Sequence, residues 1–158
     1  MKVLNISIFL LIWSFSGKSF ASPPKKDVFV SALPLCFCLA VNGGIMTSEY
    51  HTVGVNYYSG GLPMAGGGTQ YGLFSRLHPW ESSFFITTRF GYMESSWGHP
   101  DFVHESGASA GIDIGNRWDS STSEFNYAVT WIGGDFYLDK RKSGGLPHGL
   151  RLEIGYKF

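Results

Sequence analysis

The sequence has no excess charge of either sign: 12 Lys and Arg are met by 12 Asp and Glu. A balanced chain has no long-range field with which to gather polyanions, so nucleic-acid partners are not expected. Cysteine is scarce too, with Cys36 and Cys38 the only two. On an extended chain, residues two apart have Cα atoms about 6.5 to 7 Å from each other, at the upper edge of unstrained disulfide geometry. The expectation is therefore two small packed side chains. Neither cysteine has His or acidic residues at ligand spacing, so no metal or cofactor is implied. Beyond residue 21 there is no apolar run long enough to cross a bilayer as a helix. Long helical periods are missing as well.

The one long apolar run is at the start. Lys2 precedes an apolar stretch over 3–16, and Ser19-Phe20-Ala21 ends in a small residue before Ser22-Pro23-Pro24. That pattern is a secretory signal peptide over residues 1–21. Residues 22–158 then make one domain, of a length that does not divide into two.

What the sequence does have is glycine, 21 residues of it, and 16 % aromatics. These are arranged with a period of two, which reads as all-β. Over 149–158, Leu150, Leu152, Ile154, Tyr156 and Phe158 alternate with Arg151, Glu153, Gly155 and Lys157. The segments 50–58, 69–77, 83–93 and 107–118 repeat the pattern, the last with Ile112 and Ile114 against Gly111, Asp113 and Arg117. In 125–138 the phase changes at Gly133-Gly134, as a β-bulge would make it. A seventh strand is expected over 33–42, with Asn42-Gly43-Gly44 as a turn. An even strand count requires an eighth, which the stretch before Pro34 would supply.

In a soluble periplasmic β-sandwich the apolar face would meet a core. In a membrane barrel it meets lipid, and the charges face the lumen. The segments 59–67, 94–106 and 139–148 read as long loops at one end, while 78–82 and 119–124 read as shorter turns at the other. Tyr57, Tyr58, Trp80, Tyr92, Trp97, Trp118, Trp131, Tyr156 and Phe158 lie where interfacial girdles would. The aromatic-terminated last strand resembles the C-terminal recognition strand of bacterial outer-membrane β-barrels. The whole pattern is similar in architecture to the small eight-stranded OmpA/OmpX/Ail-like proteins. The resemblance implies an antiparallel up-and-down barrel in the outer membrane, with lipid and lipopolysaccharide around it. It also implies the barrel-assembly machinery as a partner in biogenesis, with Leu150, Leu152, Ile154, Tyr156 and Phe158 as the assembly signal.

In such a barrel Arg76, Arg89, Asp113, Arg117, Asp135, Arg151, Glu153 and Lys157 fall on the lumen side, where charges must pair. A structural salt-bridge network is the expectation. Of the histidines, His51, His78, His99, His104 and His148 lie mostly in loops or at strand ends. The resemblance to lipid A deacylases would require a His-x-Ser-Asn motif, which is missing. Asp119-Ser120 offers the residue pair of palmitoyltransferase barrels, but at the wrong end. The expected function is a non-enzymatic outer-membrane barrel with a structural or surface role through external loops. A lipid-modifying enzyme and a soluble sandwich are the alternatives.

Overall fold

The computed structural model describes residues 25–33, 38–62, 66–79, 82–97, 103–120, 123–142 and 145–158. The expected leader, residues 1–21, lies outside them. Seven strands follow in order: β1 (Lys26–Leu33), β2 (Cys38–Ser48), β3 (His51–Leu62), β4 (Gly66–Leu77), β5 (Phe84–Trp97), β6 (Val103–Asp119) and β7 (Phe125–Tyr137). Two more, β8 (Gly145–His148) and β9 (Arg151–Lys157), complete the order. Each pairs antiparallel with the next up to β7. β9 pairs with Phe125–Thr130 of β7 and β8 with Gly133–Phe136, so β8 and β9 are two halves of one stave. β1 then pairs with β9, closing a ring of eight staves. Closure pairs the first strand with the last over Asp27–Ala32, so neither is left as a free sheet edge there.

The stretch before Pro34 does supply the eighth strand, with Val28↔Tyr156 and Val30↔Ile154 in register. Backbone bonds tie both termini together, with Lys26 N donating to Phe158 O at 2.7 Å and Phe158 N to Lys26 O at 3.0 Å. We call this the terminal end and the opposite one the far end.

Closure sorts side chains by parity. Outward residues such as Val55, Leu73, Ile112, Leu152 and Ile154 are exposed, whereas Asp113 and Glu153 are 1 % and 3 % exposed. In β6 the exposed Ala108, Ile112 and Trp118 alternate with buried Ser109, Asp113 and Arg117. Arranged for water, this partition is inverted: large apolar groups cover the outside, and charge fills the inside.

Several expectations shift. Leu33 belongs to β1 and the next strand begins at Cys38, with residues 34–37 between them outside the description. Asn42-Gly43-Gly44 is no turn. These residues lie within β2, because a Cβ on Gly44 would come within 3.1 Å of the inward Phe74 ring. The chain turns instead at Glu49-Tyr50. Segments 59–67 and 94–106 are strand wherever they are described, since β3, β4, β5 and β6 run on past their apolar stretches, whereas 139–142 turns and only 145–148 is strand, as β8. The phase change of β7 falls at Trp131, not at Gly133-Gly134. Ile114 pairs with Ile132 and Gly115 with Thr130, leaving Trp131 as the extra residue and both Trp131 and Ile132 exposed. Tyr58 is buried inside, and Trp97 packs against an interior cluster, so neither joins an outer girdle. Trp80 lies outside the described residues. Cys38 is disulfide-bonded, against the expectation of a packed thiol; the other cysteine, Cys36, is outside the described residues.

Closure through β1 and β9 has a direct test. In a Cys36→Ser, Cys38→Ser background, the pair Val30→Cys with Ile154→Cys should oxidise to a disulfide, because directly opposed Cβ atoms lie about 4.5–5.5 Å apart. Val30→Cys with Gly155→Cys should not, since these positions face opposite sides. Mass spectrometry of the folded, oxidised protein reads both.

Candidate functional site: the charged lumen and its two ends

Charges occupy the middle of the lumen because glycine makes room for them. Gly111 faces Asp135 across the β6–β7 pair, and Gly133 faces Asp113. A Cβ on either glycine would run into the carboxylate opposite. Arg89 reaches across from β5, its Nε 3.0 Å from Asp135 Oδ1 and its Nη2 3.1 Å from Asp113 Oδ1, with Nη1 also on Asp113. Arg151 closes on the same Asp113 carboxylate from β9. Beside this cluster, Arg76 donates to both Glu153 oxygens at 2.9 and 3.2 Å and to Thr87 Oγ1 at 2.9 Å, while Thr130 donates to Glu153 at 2.7 Å.

Arg117 Nη1 lies 2.5 Å from Asp27 Oδ2, and its Nε 3.1 Å from Asp119 at the rim. Lys157, the least buried member, binds that same Asp119 at 2.5 Å. Seven of the eight residues singled out from the sequence are thus buried inside, whereas Lys157 sits at the rim. Asp27 was missed. It shares a five-residue alternation with inward Phe29, whose bulk hid the polar side of β1.

Apolar layers flank the central charges on both sides, with the Arg117–Asp27 and Lys157–Asp119 pairs beyond the layer at the terminal end. Toward the terminal end the Arg76 guanidinium is sandwiched between Phe29 and Phe85, 4.1 and 4.0 Å from the ring centroids. Phe74 meets Phe29 edge-on at 5.5 Å. His78 then lies 5.9 Å from Phe85, and its backbone N donates to Tyr50 O at 2.7 Å. Burial first, then the Arg117 and Arg76 cations, push the His78 pKa down to about 4. Toward the far end Cys38, Ala40, Tyr58, Met93, Tyr137 and Leu146 form an apolar cluster, with Trp97 against it. Tyr137 Oη donates to Glu105 O at 2.8 Å and takes part in a 2.7 Å bond with Ser95 Oγ. Above lies an open hollow of about 760 Å³ lined by Gly, Ser and Thr residues with Glu94, His104 and Glu105.

Leu150, Leu152, Ile154, Tyr156 and Phe158 all project outward and are exposed. Tyr156 is flanked by Phe125 at 5.1 Å and Phe158 at 6.1 Å between ring centroids, so aromatics gather at the terminal rim. His51 points to the same outer face but is itself buried, hydrogen-bonded to Ser75 and Thr47. His104 is exposed on β6, and His99 lies outside the described residues.

No family model matches this chain, and no curated protein matches it either. Solved structures do. The N-terminal β-barrel domain of OprF from Pseudomonas aeruginosa is similar with a TM-score of 0.50 at 14% identity, covering 85% of this chain and 96% of that one. Neisserial surface protein A is similar with a TM-score of 0.50 at 10% identity, covering 85% and 94%. Both are small eight-stranded outer-membrane barrels, and this chain has their fold.

Two predictions follow from the lumen. Arg89→Gln removes the cation that Asp113 and Asp135 share, leaving Asp113 to Arg151, and breaking a buried pair by removing one partner costs roughly 3–5 kcal/mol. Urea unfolding in detergent should show that loss, and the same change at exposed Arg141 should stay within about 0.5 kcal/mol. His78, depressed from 6.5 to about 4, should stay neutral in the folded state at pH 5 by NMR titration of its imidazole. Above pH 6.5 it contributes nothing to pH dependence. Between 6.5 and about 4 the unfolded chain takes up a proton that the folded one does not, so stability falls as pH falls through that window.

Proposed function

We propose that this chain is an integral outer-membrane β-barrel with a closed lumen, serving a structural or surface-interaction role through its far end. The observation that carries the reading is the inverted partition: Val55, Leu73 and Ile132 are 61–65 % exposed while four arginines and four carboxylates are paired inside. In water so much exposed apolar surface would drive aggregation. In lipid it is the favourable surface, and the closed strand ring pairs the backbone from strand to strand around the barrel. The lumen charges balance and apolar layers flank the central cluster, which supports a plug and not a pore.

In this reading both termini face the periplasm and the β3–β4 and β5–β6 hairpins face outward, among lipopolysaccharide. The outward row Leu150, Leu152, Ile154, Tyr156 and Phe158 is the face offered to the barrel-assembly machinery. A signal peptide over 1–21 delivers the chain to the periplasm. A second reading, a lipid-acting enzyme, is favoured by one observation, the His51–Ser75 pair on the outer wall.

The test is cellular and biophysical together. The protein should fractionate with the outer membrane and run faster on gels unheated than boiled. In planar bilayers it should give no steady conductance. Recovery in the soluble periplasm, with no heat-dependent shift, would overturn the proposal.

A further inference from the structure

A polar notch interrupts the apolar outer wall near the terminal end. There His51 opens β3, and its Nε2 lies 2.8 Å from Ser75 Oγ on β4. Its Nδ1 lies 2.7 Å from Thr47 Oγ1. Thr47 is the extra residue of a bulge in β2, where Met46 pairs with Thr52 and Ser48 with His51. Such bulges re-aim a side chain, and this one turns the Thr47 hydroxyl onto the imidazole.

One assignment of the hydrogens serves all three contacts. Thr47 Oγ1 donates to the His51 carbonyl at 3.3 Å, so toward the ring its oxygen accepts and Nδ1 carries the proton. Nε2 is left as the acceptor, and the Ser75 hydroxyl donates to it. That is the tautomer a base needs in order to take a serine proton. Ser75 is only half-buried and so reachable from outside. Directly across from it in the β4–β5 register stands Thr88, on the same face and carrying a hydroxyl. Ionisable groups on a lipid-facing wall are costly and mark functional sites.

We infer that Ser75, His51 and Thr88 form an acyl-ester hydrolase site, positioned by Thr47, that acts on glycerophospholipid at the membrane boundary. The inference rests on the membrane reading given above and deepens its enzymatic alternative. Ser75 Oγ attacks the ester carbonyl carbon as its proton passes to His51 Nε2. Thr88 donates to the oxyanion. The bond from that carbon to the glycerol oxygen breaks, the oxygen takes the proton from His51, and lysophospholipid leaves with the acyl group on Ser75. Water, deprotonated by His51, then attacks the acyl-serine and releases fatty acid, returning the proton to Ser75. The sum is ester plus water to acid plus alcohol, with no other reactant.

The test uses the full chain folded in detergent with phosphatidylethanolamine mixed micelles, fatty acid release being followed by mass spectrometry. Heat-dependent gel mobility confirms folding separately for each variant, so that a failed barrel is distinguished from a failed site. Expected are fatty acid and lysophospholipid from the wild type and labelling of Ser75 by a fluorophosphonate. Ser75→Ala and His51→Ala should each lose at least about 100-fold. Thr88→Val should lower kcat by roughly 10- to 100-fold with little change in KM. Thr47→Val should shift the pH–rate profile, and Thr47→Ser should restore it. A folded wild type that releases no fatty acid and takes no label overturns the inference. So does a Ser75→Ala variant as active as wild type.

Discussion

The structure depends on one constraint: a charge taken out of water must meet its opposite. Arg89 holds Asp113 and Asp135 together, and Arg151 returns to Asp113 from the last strand. These contacts run between β5, β6, β7 and β9, so the network ties the late strands to one another across the lumen. Arg117 extends it to Asp27 on the first strand. The ion pairs therefore bridge the seam where the chain's two ends meet. Leaving one partner unpaired is expensive, which favours this strand arrangement over shifted registers.

Glycine is the complement of that charge. A one-residue slip between β6 and β7 would take Asp113 away from Gly133 and Asp135 away from Gly111, and would turn one strand's charged face toward the apolar outside. Gly66, with φ of +112°, shows the same economy at the far end, where a Cβ would collide with the Ser96 carbonyl. Apolar layers then flank the central cluster of Arg76, Arg89, Arg151 and their carboxylates on both sides. The middle of the barrel is thereby a rigid filler, and whatever chemistry or recognition the chain performs belongs to its rims and outer wall.

Much of this was legible because β6 and the last strand alternate without interruption, as in Ile112-Asp113-Ile114 and Leu152-Glu153-Ile154. Legibility failed where a residue's partner is distant in sequence. Gly43-Gly44 reads as a turn until Phe74, on a strand two away, is seen to need the space. Trp131 and Ile132 are both apolar, so the sequence alone does not say which of them is the bulge. The strand extensions past the apolar belt, such as Gly66-Gly67-Gly68 and Ser95-Ser96, carry no hydrophobic alternation. Ladder hydrogen bonds alone reveal them. His51 and Ser75 are 24 positions apart, and only the β3–β4 register brings them together.

The central claim is the inversion, apolar residues toward lipid and charge toward the lumen, and methyl NMR in lipid nanodiscs tests it most directly without altering the chain. Val55, Leu73, Ile112, Ile132 and Leu152 should show nuclear Overhauser contacts with lipid acyl chains, while Ala40, Ala128 and Met93 should show none. Acyl-chain contacts to the second set, or their absence from the first in a folded sample, would contradict the account.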